Sequence, residues 1–254
     1  MASKRAHVAN VANALSRLTA VGLAALAMST AAQAQQAPAL QAELVKTGLY
    51  LIRGGGGNTL LRFSANGLVL VNGKSADSYK PLMSQVHKID KLSDMPVRVL
   101  ILTDAQEGEA ANSARFIAAK VPILAQAQAA AHLGEGVAGP GLVTYDKDYT
   151  VKLGGVEVQV KHFGKAHSDG DAVVYFPDMK VVAVGSLYAP DGPALDVRNE
   201  GSLAGWSAAL AQLLGLDFDR VVPNDGPIVG RAELEAFQRR LETLAATASA
   251  APLP

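Results

Sequence analysis

Short β-rich runs occur in two batches along this chain, and each batch leads into an alternation of strands and helices. The first batch covers residues 49–52, 59–63 and 68–71, and the second covers residues 150–153, 156–162, 172–176 and 181–185. The Asn66-Gly67 pair inside the first batch is a strong signal for a β-hairpin. Two mixed sheets packed face to face with helices outside satisfy this pattern, although periodicity alone leaves a doubly wound sheet open.

Helices and further strands are predicted from the spacing of the apolar residues. The predicted helices cover residues 75–89, 110–120, 126–133, 202–214 and 231–246. Ser202 is expected to act as an N-cap. Residues 97–102 are apolar throughout, as in a strand buried on both faces, and residues 122–125 and 220–222 are shorter strands. The four glycines at residues 54–57 are not followed by Lys-Ser/Thr, so we expect a mobile hairpin lip rather than a phosphate loop.

Composition favours one large domain and excludes some partners. The chain has 254 residues, of which 49% are hydrophobic, enough for a substantial core. Its 23 basic and 23 acidic residues form no block of like charge, and aromatic residues make up 5%. This balance argues against nucleic-acid or anionic-membrane binding driven by charge, and the low aromatic content argues against stacking on single strands.

The first 34 residues have the pattern of a signal peptide. Basic residues precede an apolar, small-residue-rich stretch at residues 18–31, and Ala32-Gln33-Ala34 offers small residues where a signal peptidase reads. We expect cleavage between Ala34 and Gln35, a periplasmic or secreted protein, and no membrane attachment afterwards. An uncleaved N-terminal anchor is the alternative.

The remaining chain is predicted to form one domain. A lead-in at residues 35–48 is expected to precede a domain at residues 49–246, with a flexible tail at residues 247–254. The chain has no cysteine. An oxidising compartment therefore adds no disulfide, and every zinc site that uses cysteine is excluded.

Three separated segments carry a resemblance to a known family. They are the run around His167 at residues 164–176, the strand and following loop at residues 97–109, and residues 221–227. In their order along the chain, these segments resemble the metal-binding segments of the metallo-β-lactamase superfamily. The resemblance implies a four-layer αββα sandwich of two mixed β-sheets with outer helices.

The resemblance also assigns positions to the family's metal ligands, most of which are changed in this chain. His167 keeps the family's third histidine, and Asn72 stands at a structural aspartate. The other aligned positions read Asp104, Gln106 and Glu109 where the family has histidines, Gly108 and Ser186 where it has aspartates, and Asp225 where it has the last histidine.

This altered set is a poor match for the family's zinc ions. A neutral amide oxygen is a weak zinc ligand, glycine has no side chain, and serine does not readily bridge two ions. We therefore expect no metal or other cofactor, and a non-hydrolytic role in which the old cleft binds an unidentified small molecule or periplasmic protein.

Other outcomes stay open at this stage. Asp104, Glu109, His167 and Asp225 offer oxygen-rich ligation for one hard divalent ion, whose bound water would attack an ester, lactone or amide. Residual zinc hydrolysis and a purely structural subunit are further alternatives. Without a metal, the carboxylates repel one another and at least one pKa should rise, unless Lys74 or Lys165 neutralises them.

Overall fold

Twelve strands form two sheets in the part of the chain that the structure describes. The structure is a computed structural model, and it describes residues 39–90 and 94–250. The strands are β1 (Gln41–Lys46), β2 (Leu49–Arg53), β3 (Thr59–Ser64), β4 (Gly67–Val71), β5 (Val97–Ile101), β6 (Ile123–Gln126), β7 (Leu142–Tyr145), β8 (Asp148–Leu153), β9 (Val156–Lys161), β10 (Val173–Phe176), β11 (Val181–Gly185) and β12 (Arg220–Pro223).

Both sheets are mixed. Seven strands are arranged in the order β1-β2-β3-β4-β5-β6-β7, antiparallel from β1 to β4 and parallel from β4 to β7. Five strands form the second sheet in the order β12-β11-β10-β9-β8, with one parallel pair between β11 and β12. In each sheet a parallel pair brings the carboxyl ends of two strands to the same edge.

Six α-helices accompany the sheets in the described part of the chain. They are α1 (Tyr79–Ile89), α2 (Glu107–Ala110), α3 (Ser113–Ala118), α4 (Ala127–His132), α5 (Leu203–Leu213) and α6 (Arg231–Ala250). The Ser202 hydroxyl accepts a hydrogen bond from the Gly205 amide, which confirms the predicted N-cap of α5.

Three apolar clusters define four layers. The inner faces of the two sheets share one core, in which Leu51 and Val69 from the larger sheet lie in the same cluster as Val160 from the smaller sheet. Leu82 of α1 belongs to the core on the outer face of the larger sheet, and Trp206 of α5 to the core on the smaller. Burying each such side chain contributes about 1.5–3 kcal/mol relative to exposure. The predicted αββα sandwich is therefore confirmed.

Several boundaries differ from the sequence prediction. β1 pairs with β2, so the sheet begins at Gln41 within the segment expected to be a lead-in, rather than at Leu49. β7 was not predicted. The helix expected at residues 110–120 is divided into α2 and α3. α6 continues to Ala250, so it includes residues that were expected to lie in the tail.

The predicted signal peptide lies outside the described residues. Within residues 39–90 and 94–250, no helix combines the length and apolar character needed to cross a bilayer.

Candidate functional site

The candidate site lies where strand ends from both sheets meet. Asp104 follows β5, Ser186 follows β11, and Asp225 follows β12, while His167 lies in the loop between β9 and β10. Hydrogen bonds join the sheets at this edge, from the Ala172 amide to the Thr103 carbonyl and from the Asn58 amide to the Asn224 carbonyl. The aligned ligand positions thus fall in one region of the sandwich.

Asp104 is sealed beneath this edge. It is 1% exposed, and both carboxyl oxygens accept hydrogen bonds, from the Gln106 amide at 3.0 Å and the Ser186 hydroxyl at 2.9 Å. Burial raises the pKa of Asp104, and the nearby Asp171 carboxylate raises it further. Each carboxyl oxygen is thus already held by one protein donor.

Glu109 lies in α2 and is fully buried. Neither carboxyl oxygen has a hydrogen-bond donor in the structure. Burial, followed by the charge of Asp104, raises the pKa of Glu109 to about 9. A carboxyl group in this setting is neutral near pH 7, and its proton then has the Asp104 carboxyl as a neighbouring acceptor.

The Asn224 amide lies against Glu109. A Cβ on Gly57 would lie 2.1 Å from Asn224 Oδ1 and 2.3 Å from Glu109 Oε1, so only glycine leaves room for the two side chains. Asn224 Oδ1 and both Glu109 carboxyl oxygens have no other hydrogen-bond partner. A neutral Glu109 carries a proton, so its carboxyl can donate to Asn224 Oδ1 as well as to Asp104.

Lys74 places a basic group in the sealed part of the site, which is the buried region around Asp104 and Glu109. Its side chain is 0% exposed, and Nζ donates to the carbonyls of Ile52 at 2.6 Å and Gly57 at 2.7 Å. Burial lowers the pKa of Lys74 to about 7, against the opposing charges of Glu109 and Asp225. The other lysine considered from the sequence, Lys165, forms an ion pair with Glu200 on the surface instead.

His167 keeps an imidazole at the open side of the site. Its Nε2 lies 3.1 Å from Gln106 Nε2, its Nδ1 lies 3.6 Å from the Asp171 carboxylate, and its ring meets Trp206 edge-on. Burial alone lowers the pKa of His167, but the carboxylates of Asp171 and Asp104 outweigh it, so the pKa is raised. Asp171 is itself held by the Ser168 amide and hydroxyl.

An open pocket of about 250 Å³ lies beside the sealed part. Its lining residues are Gln106, His167, Ser186, Tyr188, Ala189, Pro190, Asp191, Ala194, Asn224, Asp225 and Gly226. Of the seven aligned positions, this pocket includes four. Asp104 and Glu109 are buried outside its lining, and Gly108 contributes its carbonyl, which accepts from the Gly57 amide at 3.1 Å.

The glycine run at residues 54–57 is built into this region. The Gly55 carbonyl accepts hydrogen bonds from the Ser75 amide and hydroxyl. With the Gly57–Gly108 hydrogen bond, these contacts tie the turn to the sealed part of the site. The glycine run is therefore a turn that packs against Glu109, rather than the lip over the cleft that was expected from the sequence.

Hydrogen bonds and close packing hold together the strands beneath the site. The Asn72 side chain accepts from the Thr103 amide at 3.0 Å and also contacts the Thr103 hydroxyl. Gly185 has a φ of 52°, and a Cβ there would lie 2.5 Å from Thr103 Oγ1. A side chain at residue 185 would separate β11 from β5, so this glycine fixes the approach of the two sheets.

Zinc does not fit the donor set. Hydrolytic zinc sites use several imidazole or thiolate ligands, whereas these positions supply a single imidazole, and its Nε2 contacts Gln106. The Lys74 amine interacts electrostatically with Glu109 and Asp225, and in its protonated form it would repel a cation placed near them. Across residues 39–90 and 94–250, no three His, Cys, Asp or Glu side chains form a group that could hold a metal ion.

Lys74, Gly57 and Asp171 were not assigned to the site from the sequence. Of these three, only Lys74 was named for a possible role in the site, because it was one of two lysines that could neutralise the carboxylates. The packing role of Gly57 and the contact of Asp171 with His167 depend on the folded chain.

The architecture and the position of the cleft define a class, the αββα sandwiches with a site at the strand ends. Solved metallo-β-lactamases share this architecture. A metallo-β-lactamase from Pontibacter korlensis matches with a TM-score of 0.71 and 20% identity, covering 80% of this chain and 99% of that one. The DIM-1 metallo-β-lactamase matches with a TM-score of 0.71 and 20% identity, covering 82% and 100% of the respective chains.

A third match is FIM-1 from Pseudomonas aeruginosa, solved in its mono-zinc form. Its TM-score is 0.68 at 18% identity, covering 81% of this chain and 96% of that one. No protein-family model and no curated protein matches the sequence. The chain therefore has the metallo-β-lactamase fold, and its chemistry must be argued from its own residues.

Proposed function

We propose that this chain is an exported, metal-free binding protein of the metallo-β-lactamase fold that does not hydrolyse its ligand. One observation carries the proposal: the amine of Lys74 is fully buried and interacts electrostatically with Glu109 and Asp225, two of the positions aligned with metal ligands. A basic group there supplies positive charge or hydrogen bonds without a metal ion. The ligand is a small molecule or a periplasmic protein bound at the open pocket.

The alternative is a hydrolase of esters, lactones or amides. It requires Asp104, Glu109, His167 and Asp225 to hold one hard divalent ion. Glu109 is fully buried whereas Asp225 is exposed at the pocket rim, so these side chains would have to move together first. The proposed function requires no such rearrangement.

Elemental analysis of protein purified from a periplasmic extract without chelators tests the proposal. We expect well below one equivalent of any metal per chain, and no turnover of a generic ester or β-lactam when zinc or manganese is added. One tightly held equivalent with turnover favours the hydrolase, and about two zinc ions overturn the assignment of the altered ligand set. The intact mass of the same protein should correspond to a chain beginning at Gln35.

A further inference from the structure

The open pocket has the size and walls for a small organic molecule. Its volume of about 250 Å³ lies below the roughly 300–1,000 Å³ of pockets that hold drug-sized ligands. Tyr188, Ala189 and Pro190 supply an apolar wall on one side. The Tyr188 ring packs against Phe237 at a centroid distance of 5.3 Å, which fixes its orientation.

The neutral hydrogen-bonding groups of the lining are mostly engaged within the protein. The Ser186 hydroxyl donates to Asp104, and the Gln106 and His167 side chains contact each other. Asn224 lines the pocket, but its Oδ1 is buried against Glu109. A charged ligand therefore finds its partners at the rim of the pocket.

The charges at the rim are also negative. Asp191 and Asp225 are exposed there, and neither forms an ion pair within the described part of the chain. The lining contains no lysine or arginine, and His167 is the one lining group that can carry positive charge.

Three cations lie near the pocket without lining it. Arg53 donates to the Gly226 carbonyl but is paired with Glu43 at 3.0 Å. Lys74 is sealed. The Arg240 guanidinium approaches Gly192, beside Asp191, without forming an ion pair with that aspartate. The two rim carboxylates are therefore the charges most available to a ligand.

We propose that this pocket binds a small organic ammonium compound, with its N–H donors directed at the carboxylates of Asp191 and Asp225 and its carbon portion against Tyr188. An ammonium group near an aromatic face gains a further cation–π attraction. This inference rests on the proposed metal-free function and names the ligand class for the same site.

Isothermal titration of the metal-analysed protein with three matched probes tests the assignment. The probes are 2-phenylethylammonium, 3-phenylpropionate and 2-phenylethanol, which present a cation, an anion and a neutral group on similar carbon skeletons. We expect the ammonium to bind at least tenfold more tightly than either of the others. Equal or tighter binding of the carboxylate overturns the proposal, and so does the absence of ammonium binding at millimolar concentration.

Two single variants locate the binding. Asp225→Asn and Asp191→Asn should each weaken ammonium binding three- to tenfold. Asp94→Asn removes the same charge from a side chain that is 93% exposed before β5, and it should leave binding unchanged. Ammonium binding that is indifferent to both rim variants contradicts the proposed position. A metal equivalent in the same protein would contradict the proposed function separately, because probe selectivity and metal content are independent measurements.

Discussion

The two halves of the site have opposite physical character. Lys74, Asp104 and Glu109, near the ends of β4 and β5, are sealed from solvent, whereas His167, Ser186 and Asp225 line an open pocket on the side of the smaller sheet. The sealed half holds shifted pKa values that arise mainly from burial. In the open half, the His167 pKa is set by carboxylates that outweigh burial. The difference indicates that Asp104 and Glu109 are part of the protein core, whereas the aligned positions that line the pocket are available for recognition.

Replacing Lys74 should have the largest effect, because it tests whether the sealed half is part of the core. Lys74→Met keeps an apolar stem but leaves the Ile52 and Gly57 carbonyls without their donor. We expect a loss of about 2–5 kcal/mol in the free energy of unfolding, measured with urea. Lys88→Met, at an exposed position of α1, serves as the control and should change stability little. A loss no greater than in the control would remove the distinction between the two halves.

Glu109→Gln sharpens the comparison through pH. The pKa of Glu109 is raised from 4.5 to about 9, so the folded state holds a proton that the unfolded state releases. Its contribution to stability is fully present below about pH 4.5 and is lost as pH rises toward 9. The wild type should therefore lose stability relative to Glu109→Gln by up to about 1.4 kcal/mol per pH unit.

Urea unfolding at several values between pH 5 and pH 8 measures this difference. Glu107→Gln, at an exposed position of the same short helix, is the matched control and should follow the wild-type profile. Parallel profiles for the wild type and Glu109→Gln would show that Glu109 is ionised in the folded protein, contrary to the description of the sealed half.

The smallest effect is expected in the open half. Asp171→Asn removes a carboxylate that lies 3.6 Å from His167 Nδ1, so the raised pKa of His167 should fall toward its ordinary value. A raised histidine pKa stabilises the fold below the ordinary value of 6.5, and that contribution is lost as pH rises through the folded pKa. The variant should lose this contribution.

An NMR titration of the imidazole resonances measures the change directly. Asp169→Asn is the control, since Asp169 contacts His132 instead, at 3.0 Å. A His167 titration that is unchanged in Asp171→Asn would mean that Asp171 does not set the charge of the open half.

The layered fold could be predicted because apolar strands and helices recur in two batches. β1 and β7 were missed since both are edge strands with a single buried side chain each, and they lack the apolar alternation of a half-buried strand. In the candidate site, the aligned segments placed His167, Ser186 and Asp225 near one another in the sequence prediction. The burial of Lys74 could not be predicted, because lysine is rarely buried and its acceptors are backbone carbonyls fixed by tertiary structure.

The backbone at Lys74 has a consequence for how this chain can change over evolutionary time. Its φ of 71° belongs to the left-handed region, which costs a residue with a Cβ about 1–2 kcal/mol and which glycine adopts freely. Glycine at this position would relieve that strain but would leave two buried carbonyls without a donor and Glu109 without a basic neighbour. The backbone conformation thus favours glycine at this position, whereas the buried carbonyls and Glu109 favour lysine. A metal site at these positions would therefore need coordinated changes at Lys74 and the carboxyl positions, which single mutations do not supply one at a time.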